Sequence, residues 1–170
     1  MLITVVKAEG SAALDSARRL FRDYAAALNV DLCFQNFETE LLTLPGDYAA
    51  PRGTLLLAMV DGVVAGCCAM RPMDSVDYAN ASEMKRLYVS PQFRGLGLGR
   101  RLAEAALDAA RLAAYDCILL DTLDDMESAR ALYEDLGFES IAPYYFNPIP
   151  GAHYLKADLR DFVPSRQSRL

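Results

Sequence analysis

A run of glycines after a predicted strand limits the fold of this sequence more than any other feature. The stretch Glu83–Leu102 reads EMKRLYVSPQFRGLGLGRRL. Its first part, Glu83–Ser90, is predicted to be a strand because it contains residues that favour extended backbone, and Pro91 helps to end it. From Leu98 onward, apolar residues recur at the spacing of one helix face. The stretch therefore predicts a strand, a glycine-rich loop and a helix in direct succession, as in an α/β protein.

The loop Arg94–Gly99 has the sequence RGLGLG and is suited to binding an anion. Glycines lack a Cβ atom, so a ligand can approach the main chain closely and a positive φ costs little. Because the loop opens directly into a helix, its free N–H groups and the positive end of the helix dipole point to one place. We therefore predict a phosphate or pyrophosphate site built from backbone. Three side chains add positive charge to it, Arg94, Arg100 and Arg101.

A glycine-rich loop before a helix occurs in several nucleotide-binding and cofactor-binding folds. A P-loop needs Gly-Lys-Ser/Thr, whereas Gly99 is followed here by two arginines. A Rossmann turn usually lies near the start of a βαβ unit, with an acidic residue about 20 residues further on. Asp116 and Asp121 lie near that distance, but the loop is past the middle of the chain and follows several predicted strands. The position of the loop in the chain therefore argues against a Rossmann turn more than the spacing of the acidic residues does. The third alternative is a loop that binds an acyl-CoA.

The elements around this stretch predict a sheet with helices on its faces. Asp61-Gly62 separates two apolar runs, TLLLAMV and VVAGCCAM, which is a strong hairpin signal. Their near-continuous apolarity indicates that both faces of the sheet are covered. A short apolar run after the helix, Cys117–Leu120, predicts a parallel βαβ crossover. The other predicted elements are a strand at 2–7, two helices between 11 and 45, a helix ending at Gly137, and strands at 138–141 and 152–159.

Two motifs together resemble the GNAT superfamily of N-acetyltransferases. LYVSP followed by RGLGLG is similar to the family's pyrophosphate-binding motif for coenzyme A, and Arg94, Gly97 and Gly99 meet its pattern Arg/Gln-x-x-Gly-x-Gly. The later stretch ARALYEDLGF, residues 129–138, resembles the family's closing helix. The resemblance is best over residues 54–138. It implies a GNAT-like α/β (α+β) single domain over residues 1–164, with a mixed, mostly antiparallel central sheet flanked by helices, and a C-terminal tail at 165–170.

The resemblance also implies where acetyl-CoA would bind. In the family, the strand before the loop splays from its neighbour and the pantetheine arm lies in the gap, with the N–H of Val89 as an oxyanion donor. Many relatives carry an asparagine where this chain has Met126, so a cofactor contact from that position is not expected here. The residues expected to bind the cofactor are Leu87, Tyr88, Val89, Arg94, Gly95, Leu96, Gly97, Leu98, Gly99 and Arg100.

Two residues are predicted to move protons. By resemblance, Tyr133 is the acid that protonates the leaving thiolate, although its spacing also fits a core tyrosine. Glu83 lies eleven residues before Arg94, and by resemblance to the histone-acetyltransferase branch, which holds its basic glutamate at this spacing, it is the predicted base, acting directly or through a water. Apolar neighbours in the sequence suggest a raised pKa. The alternative for Glu83 is an exposed carboxylate at the end of the strand. Three further residues are candidates for the walls of an acceptor cavity, Tyr144, Tyr145 and His153.

Composition excludes several other classes. A net charge of −6 argues against a nucleic-acid binder. The four cysteines form no C-x-x-C pair and His153 is the only histidine, so neither a metal site nor a redox dithiol is expected, and the cysteines are predicted to be reduced and mostly buried. No apolar run approaches the length of a membrane span, and the N-terminus does not resemble a signal peptide. A cytoplasmic location without membrane contact is the resulting prediction.

The expected activity is therefore transfer of an acetyl group from acetyl-CoA to a primary amine, by direct attack in a ternary complex. The acceptor is a small molecule, an amino acid, an antibiotic or a protein amine, and the sequence does not decide among them. A non-catalytic acyl-CoA-binding sensor is the alternative, and a nucleotide-phosphate binder is a remoter one. Because GNAT relatives are often dimers, a homodimer is also considered, although no interface signal is present.

Overall fold

The computed structural model describes residues 1–28, 31–32, 36–123 and 127–160, and for residues 127 and 128 it describes only the backbone. In these residues, seven strands form one twisted sheet. In sheet order the strands are β1, β2, β3, β4, β5, β7 and β6. Their bounds are Ile3–Lys7 (β1), Thr54–Val60 (β2), Val63–Met73 (β3), Ala81–Val89 (β4), Cys117–Leu123 (β5), Glu139–Ile141 (β6) and Ala152–Asp158 (β7). Four α-helices accompany them, Ser11–Leu28 (α1), Phe37–Thr43 (α2), Leu98–Leu112 (α3) and Glu127–Asp135 (α4).

The sheet is mixed and mostly antiparallel, as predicted. β1 to β4 form an antiparallel meander, and β5, β7 and β6 pair antiparallel to one another. β4 and β5 are parallel, because α3 carries the chain back across the sheet between them. The predicted hairpin is confirmed, since Asp61 and Gly62 have φ values of 49° and 80° and Val60 pairs with Val63.

Helices cover both faces of the sheet. α3 and α4 pack on one face around Leu102, Tyr133 and Phe138, and α1 and α2 pack on the other around Phe21 and Leu41. The adjacent residues Cys67 and Cys68 belong to these two different clusters, as expected for neighbours on a strand. The three described cysteines, Cys67, Cys68 and Cys117, are buried and free; Cys33 lies outside the described residues.

Several strand boundaries differ from the prediction, and those of β4 and β5 matter for the site. β4 begins at Ala81 rather than at Glu83, so Glu83 lies within the paired part of the strand. β5 continues past Leu120 to Leu123, because β7 pairs with it along its whole length. Met126 and the predicted tail at 165–170 lie outside the described residues. No helix in the described part of the chain is long and apolar enough to cross a membrane.

Candidate active site

An opening in the sheet between β4 and β5 forms the centre of the site. Pairing between these two parallel strands is limited to Ala81–Glu83 and Cys117–Leu119. Beyond it, β4 is bulged, with Arg86 at φ 61° and a shift in its register with β3. A bulge strengthens the local twist of a strand and redirects it. The two strands therefore diverge, and the walls of the resulting cavity include residues 84–87 and 120–123.

The glycine-rich loop lies at the end of β4 and presents main-chain donors. Gly95 and Gly97 have φ values of 87° and 76°, and no atom lies within 4 Å of the position that a Cβ would take at either residue. Gly97 is the N-cap of α3 and supplies no side-chain cap. The hydrogen bond from the Arg101 N–H to the Gly97 carbonyl, at 3.2 Å, begins the helix. The N–H groups of residues 98–100 thus have no partner within the helix, and a diphosphate fits this arrangement of donors and open space.

A groove connects the loop with the opening in the sheet. Of the residues predicted to bind a cofactor, Leu87, Tyr88, Val89, Arg94 and Gly99 line it. The other predicted residues offer only their backbone to a ligand in the groove, because the Leu98 side chain is buried in the core, Leu96 packs against that core, and the Arg100 guanidinium forms an ion pair with Asp135. Residues from two helices complete the groove, namely Tyr24, Ala27, Leu28, Ala129, Leu132 and Tyr133.

The main chain at the end of β4 is oriented toward this groove. The Ser90 N–H donates to the Ala65 carbonyl of β3 at 2.8 Å. Because successive residues of an antiparallel strand point their backbone groups to opposite sides, the N–H of Val89 faces away from β3. Its carbonyl accepts a hydrogen bond from Nε of Arg94 at 3.1 Å, and the Arg94 guanidinium lies 5.9 Å from the centre of the Tyr88 ring. Arg94 therefore fixes the loop against the strand.

Tyr133 stands where the groove meets the opening. Its ring packs edge-on against Phe138, with centroids 5.5 Å apart, and it lines both cavities. Among the described residues none forms a hydrogen bond with its hydroxyl group. Burial raises the pKa of Tyr133 far above its usual value. The hydroxyl is therefore protonated at neutral pH and able to donate to a group in the groove.

Glu83 lies in a different environment from the predicted one. Its side chain is 1% exposed, with Oε1 2.8 Å from Nη2 of Arg71 and 3.8 Å from Nζ of Lys85. The Tyr144 hydroxyl donates to Oε2 at 2.6 Å. Burial favours a higher pKa, but the charges of Lys85 and Arg71 and these hydrogen bonds outweigh it, so the pKa of Glu83 is lowered. The predicted raised pKa is wrong, because the apolar neighbours in the sequence point to the other face of the sheet, whereas Arg71 is the cross-strand partner of Glu83.

Charged side chains line the cavity on the face of the sheet that α1 and α2 cover. Arg86 is 3% exposed and makes two hydrogen bonds to Glu40, of 2.9 and 3.0 Å. Lys85 is also buried, and desolvation lowers its pKa despite the attraction of Glu83. Across the opening, the Asp121 carboxylate accepts hydrogen bonds from the Tyr145 hydroxyl and from Nδ2 of Asn147, the latter at 3.0 Å. Lys85, Arg86, Asp121 and Asn147 all line the cavity.

The cavity and the groove meet at Tyr24, Leu28, Leu87 and Tyr133, which line both. Tyr144 and Tyr145 stand behind the cavity wall and hold Glu83 and Asp121. His153 does not line this cavity; it borders a separate surface groove beside Arg130.

Three residues that line the cavity were not predicted from the sequence, Tyr24, Lys85 and Asp121. Asp121 could have been noticed as a single carboxylate within an apolar strand. Nothing in the sequence distinguishes Tyr24, because it fits the apolar stripe of α1. Within the described ranges no cluster of residues could hold a metal ion.

Comparisons with known proteins identify the family to which this chain belongs. The model of the acetyltransferase (GNAT) family matches residues 14–138. An uncharacterised N-acetyltransferase of Schizosaccharomyces pombe is 37% identical over 147 residues, which is 86% of this chain and 88% of that protein. The N-acetylaspartate synthetase of Rattus norvegicus is 31% identical over 66% of this chain but only 37% of its own length.

Solved structures share the fold at low sequence identity. A GNAT-family acetyltransferase of Staphylococcus aureus superimposes with a TM-score of 0.75 at 19% identity, covering 94% of this chain and all of that one. A Salmonella typhimurium protein assigned as an acetyltransferase, solved with its cofactor acetyl-CoA, has a TM-score of 0.68 at 19% identity, covering 96% and 98% of the two chains. The family match spans most of the sequence, and the relative from Schizosaccharomyces pombe is similar over nearly its full length. This chain therefore belongs to the GNAT family of acyl-CoA-dependent N-acetyltransferases.

Proposed function

We propose that this protein transfers the acetyl group of acetyl-CoA directly to a primary amine held in the same complex. The observation that supports this most strongly is the meeting of two cavities at Leu87 and Tyr133. One of them leads to the unpartnered N–H groups at the start of α3, and the other is lined by charged and polar side chains. Two substrates can thus reach one point from different sides, and holding them together there supplies much of the rate enhancement.

The proposed cofactor site uses backbone more than side chains. The N–H groups of the loop 94–100 would hold the diphosphate, and the outward-facing main chain of Leu87 and Val89 would hold the pantetheine arm as an added strand. When bound, acetyl-CoA supplies the acetyl group as a thioester. The N–H of Val89 would then donate to the carbonyl oxygen of that thioester as negative charge develops on it.

Two bond changes and two proton transfers make up the proposed reaction. A bond forms between the amine nitrogen and the acetyl carbon, and the bond from that carbon to sulfur breaks. Tyr133 gives its proton to the departing sulfur. Glu83 is proposed to receive the proton of the amine through a bridging water, because its side chain is 1% exposed and does not line the cavity, so an amine in the cavity would not contact it directly.

A panel of primary amines with acetyl-CoA tests this function. Release of the free thiol should depend on the amine, and mass spectrometry should find the amine heavier by one acetyl group. Because a curated relative is named for making N-acetylaspartate, amino acids belong in the panel beside alkylamines, aminoglycosides and peptides. Tight binding of coenzyme A without thiol release from any amine would contradict catalysis and favour the sensor.

Substitution of Gly97 by Ala should weaken binding of coenzyme A about tenfold or more, which is about 1.4 kcal/mol. The φ of 76° is unfavourable for alanine, and the methyl group would enter the open space beside the loop. Calorimetric titration with coenzyme A measures the dissociation constant.

The matched control for Gly97→Ala is Gly62→Ala. Gly62 lies in the β2–β3 turn, far from the groove, and has φ 80° with no atom within 4 Å of its Cβ position. Both variants should lose similar thermal stability, but Gly62→Ala should retain the affinity of the wild type for coenzyme A. Equal affinities in the two variants would show that the loop does not bind the diphosphate.

A further inference from the structure

We propose that Tyr144 is a positioning residue for the transfer reaction, because its hydroxyl group holds the Glu83 carboxylate in the orientation and in the ionised form that let it receive the amine proton. This inference rests on the proposed function, which gives Glu83 that part. Tyr144 lines neither the cavity nor the groove, so it acts on the reaction through Glu83 and not by contact with a substrate.

Each oxygen atom of the Glu83 carboxylate is held by a different side chain. Oε1 accepts a hydrogen bond from Nε of Arg71 at 2.9 Å and lies 2.8 Å from Nη2 of the same residue. Oε2 accepts from the Tyr144 hydroxyl at 2.6 Å. Donors on both oxygens fix the plane of the carboxylate. Because each oxygen can accept more than one hydrogen bond, the group keeps the capacity to accept from a bridging water.

The ring of Tyr144 is itself held in place. It packs against a buried apolar cluster at the paired part of β4 and β5, which includes Ala81 of β4 and Leu119 of β5. The rings of Tyr145 and Tyr154 also contact it, each with its centroid 5.4 Å from that of Tyr144. The hydroxyl group is therefore directed at its acceptor by a ring that is packed from several sides.

The loop that carries Tyr144 is attached to both strands that border the opening. It connects β6 and β7. Its Tyr144 hydroxyl donates to Glu83 on β4, and the hydroxyl of the adjacent Tyr145 donates to Asp121 on β5. Glu83 belongs to the last pair of the parallel ladder, immediately before the two strands diverge. The bond from Tyr144 thus fixes Glu83 at the inner end of the opening.

The Tyr144 hydroxyl is a donor at neutral pH. Burial, followed by the charges of Glu83 and Asp121, raises the pKa of Tyr144 far above its usual value. Burial alone would also raise the pKa of Glu83, but the charges of two neighbouring cations and then the bond from Tyr144 lower it. A carboxylate that is already protonated cannot receive a proton, so this bond keeps Glu83 ready. In the transfer step the amine proton passes to the bridging water and a proton of that water passes to the carboxylate, while the Tyr144 O–H bond stays intact.

Replacement of Tyr144 by phenylalanine tests the inference. It should lower kcat about tenfold, the loss expected from one hydrogen bond to a charged group. The KM values for acetyl-CoA and for the amine should change less than about twofold, because Tyr144 lines neither cavity. Titration of isotopically labelled glutamate carboxyl groups by NMR should show the pKa of Glu83 about one unit higher in the variant. Glu83→Gln identifies the signal.

Tyr154→Phe is the matched control. The Tyr154 hydroxyl donates to the Tyr145 carbonyl at 3.2 Å within the same group of aromatic rings, so this variant also loses a hydrogen bond of the loop but keeps the bond to Glu83. It should retain the kcat and the Glu83 pKa of the wild type. If Tyr144→Phe does not fold, a ring-fluorinated tyrosine at position 144 keeps both the ring and the hydroxyl. As a more acidic donor it should lower the pKa of Glu83 below the value of the wild type, and an unchanged pKa would contradict the inference.

The double variant shows whether Tyr144 acts through Glu83. In the Glu83→Gln background, Tyr144→Phe should cause no further loss of kcat. A further loss would overturn the inference, as would an unchanged kcat or an unchanged Glu83 pKa in Tyr144→Phe alone. Each of these results leaves acetylation of an amine by the wild type standing. Absence of turnover with every amine of the panel, while coenzyme A binds, would instead remove the proposed function and this inference with it.

Discussion

Replacement of Tyr133 by phenylalanine is expected to lower the kcat of acetyl transfer about 100-fold, the lower end of what a positioned acid contributes. The change removes one hydroxyl group and keeps the ring that packs against Phe138. Burial holds the pKa of Tyr133 far above neutrality, so its hydroxyl group is protonated under assay conditions. The wild type therefore has a proton donor at this position and Tyr133→Phe has none. Steady-state kinetics with a saturating amine gives kcat, and calorimetry gives the affinity for coenzyme A, which should not change.

Tyr115→Phe is the matched control for this substitution. Tyr115 is also largely buried, and its hydroxyl donates to the Arg52 carbonyl at 2.7 Å, away from both cavities. The control should keep the kcat of the wild type. If Tyr133→Phe also kept it, Tyr133 would be a packing residue and sulfur would receive its proton from elsewhere.

Replacement of Glu83 by glutamine is expected to lower the free energy of unfolding by about 3 kcal/mol at neutral pH, the lower end for removing one partner of a buried ion pair. The amide is similar in shape but leaves Arg71 and Lys85 without the charge that now lies 2.8 and 3.8 Å from them. The Arg71 side chain is 29% exposed and can turn to water, which limits the loss. Denaturant unfolding at several pH values measures it, and kcat should fall as well if Glu83 receives the amine proton.

The pH dependence of this difference has a definite sign. The pKa of Glu83 is lowered in the folded protein, so its charge stabilises the fold above the pKa of an unfolded glutamate, about 4.3. The stabilisation is lost as the pH falls through the lower, folded value. The gap between wild type and Glu83→Gln should therefore be full at neutral pH and shrink below about pH 4.

An exposed ion pair provides the control for Glu83→Gln. Asp74 accepts two hydrogen bonds from Arg52, at 2.8 and 3.0 Å, but both side chains are exposed to water. Asp74→Asn should change stability little, since solvent screens such pairs. Equal effects of the two substitutions would contradict the claim that burial makes the Glu83 cluster important.

The parts of the fold and of the site that depend on neighbours in the sequence could be predicted from it. Asp61-Gly62 specifies its own turn, and the glycines of 94–99 specify a loop whose donors point outward. The parallel pairing of β4 and β5 also followed from the order of elements. In each case the physical cause lies within a few residues, or within one crossover, of its effect.

The environment of Glu83 could not be predicted in this way. Its partner Arg71 comes from the neighbouring strand, and Tyr144 comes from a loop 61 residues further along the chain. Asp121 likewise receives its hydrogen bonds from residues 24 and 26 positions away, Tyr145 and Asn147. The pKa of a buried carboxylate depends on such distant groups, so apolar neighbours in the sequence gave the wrong sign for Glu83.

A crystal structure of the protein with acetyl-CoA tests the central claim most directly. We expect the diphosphate within hydrogen-bond distance of the main-chain N–H groups of residues 95–100, and the thioester between Val89 and Tyr133. A cofactor bound elsewhere, or a diphosphate held by side chains away from the start of α3, would contradict the proposed site and the mechanism built on it.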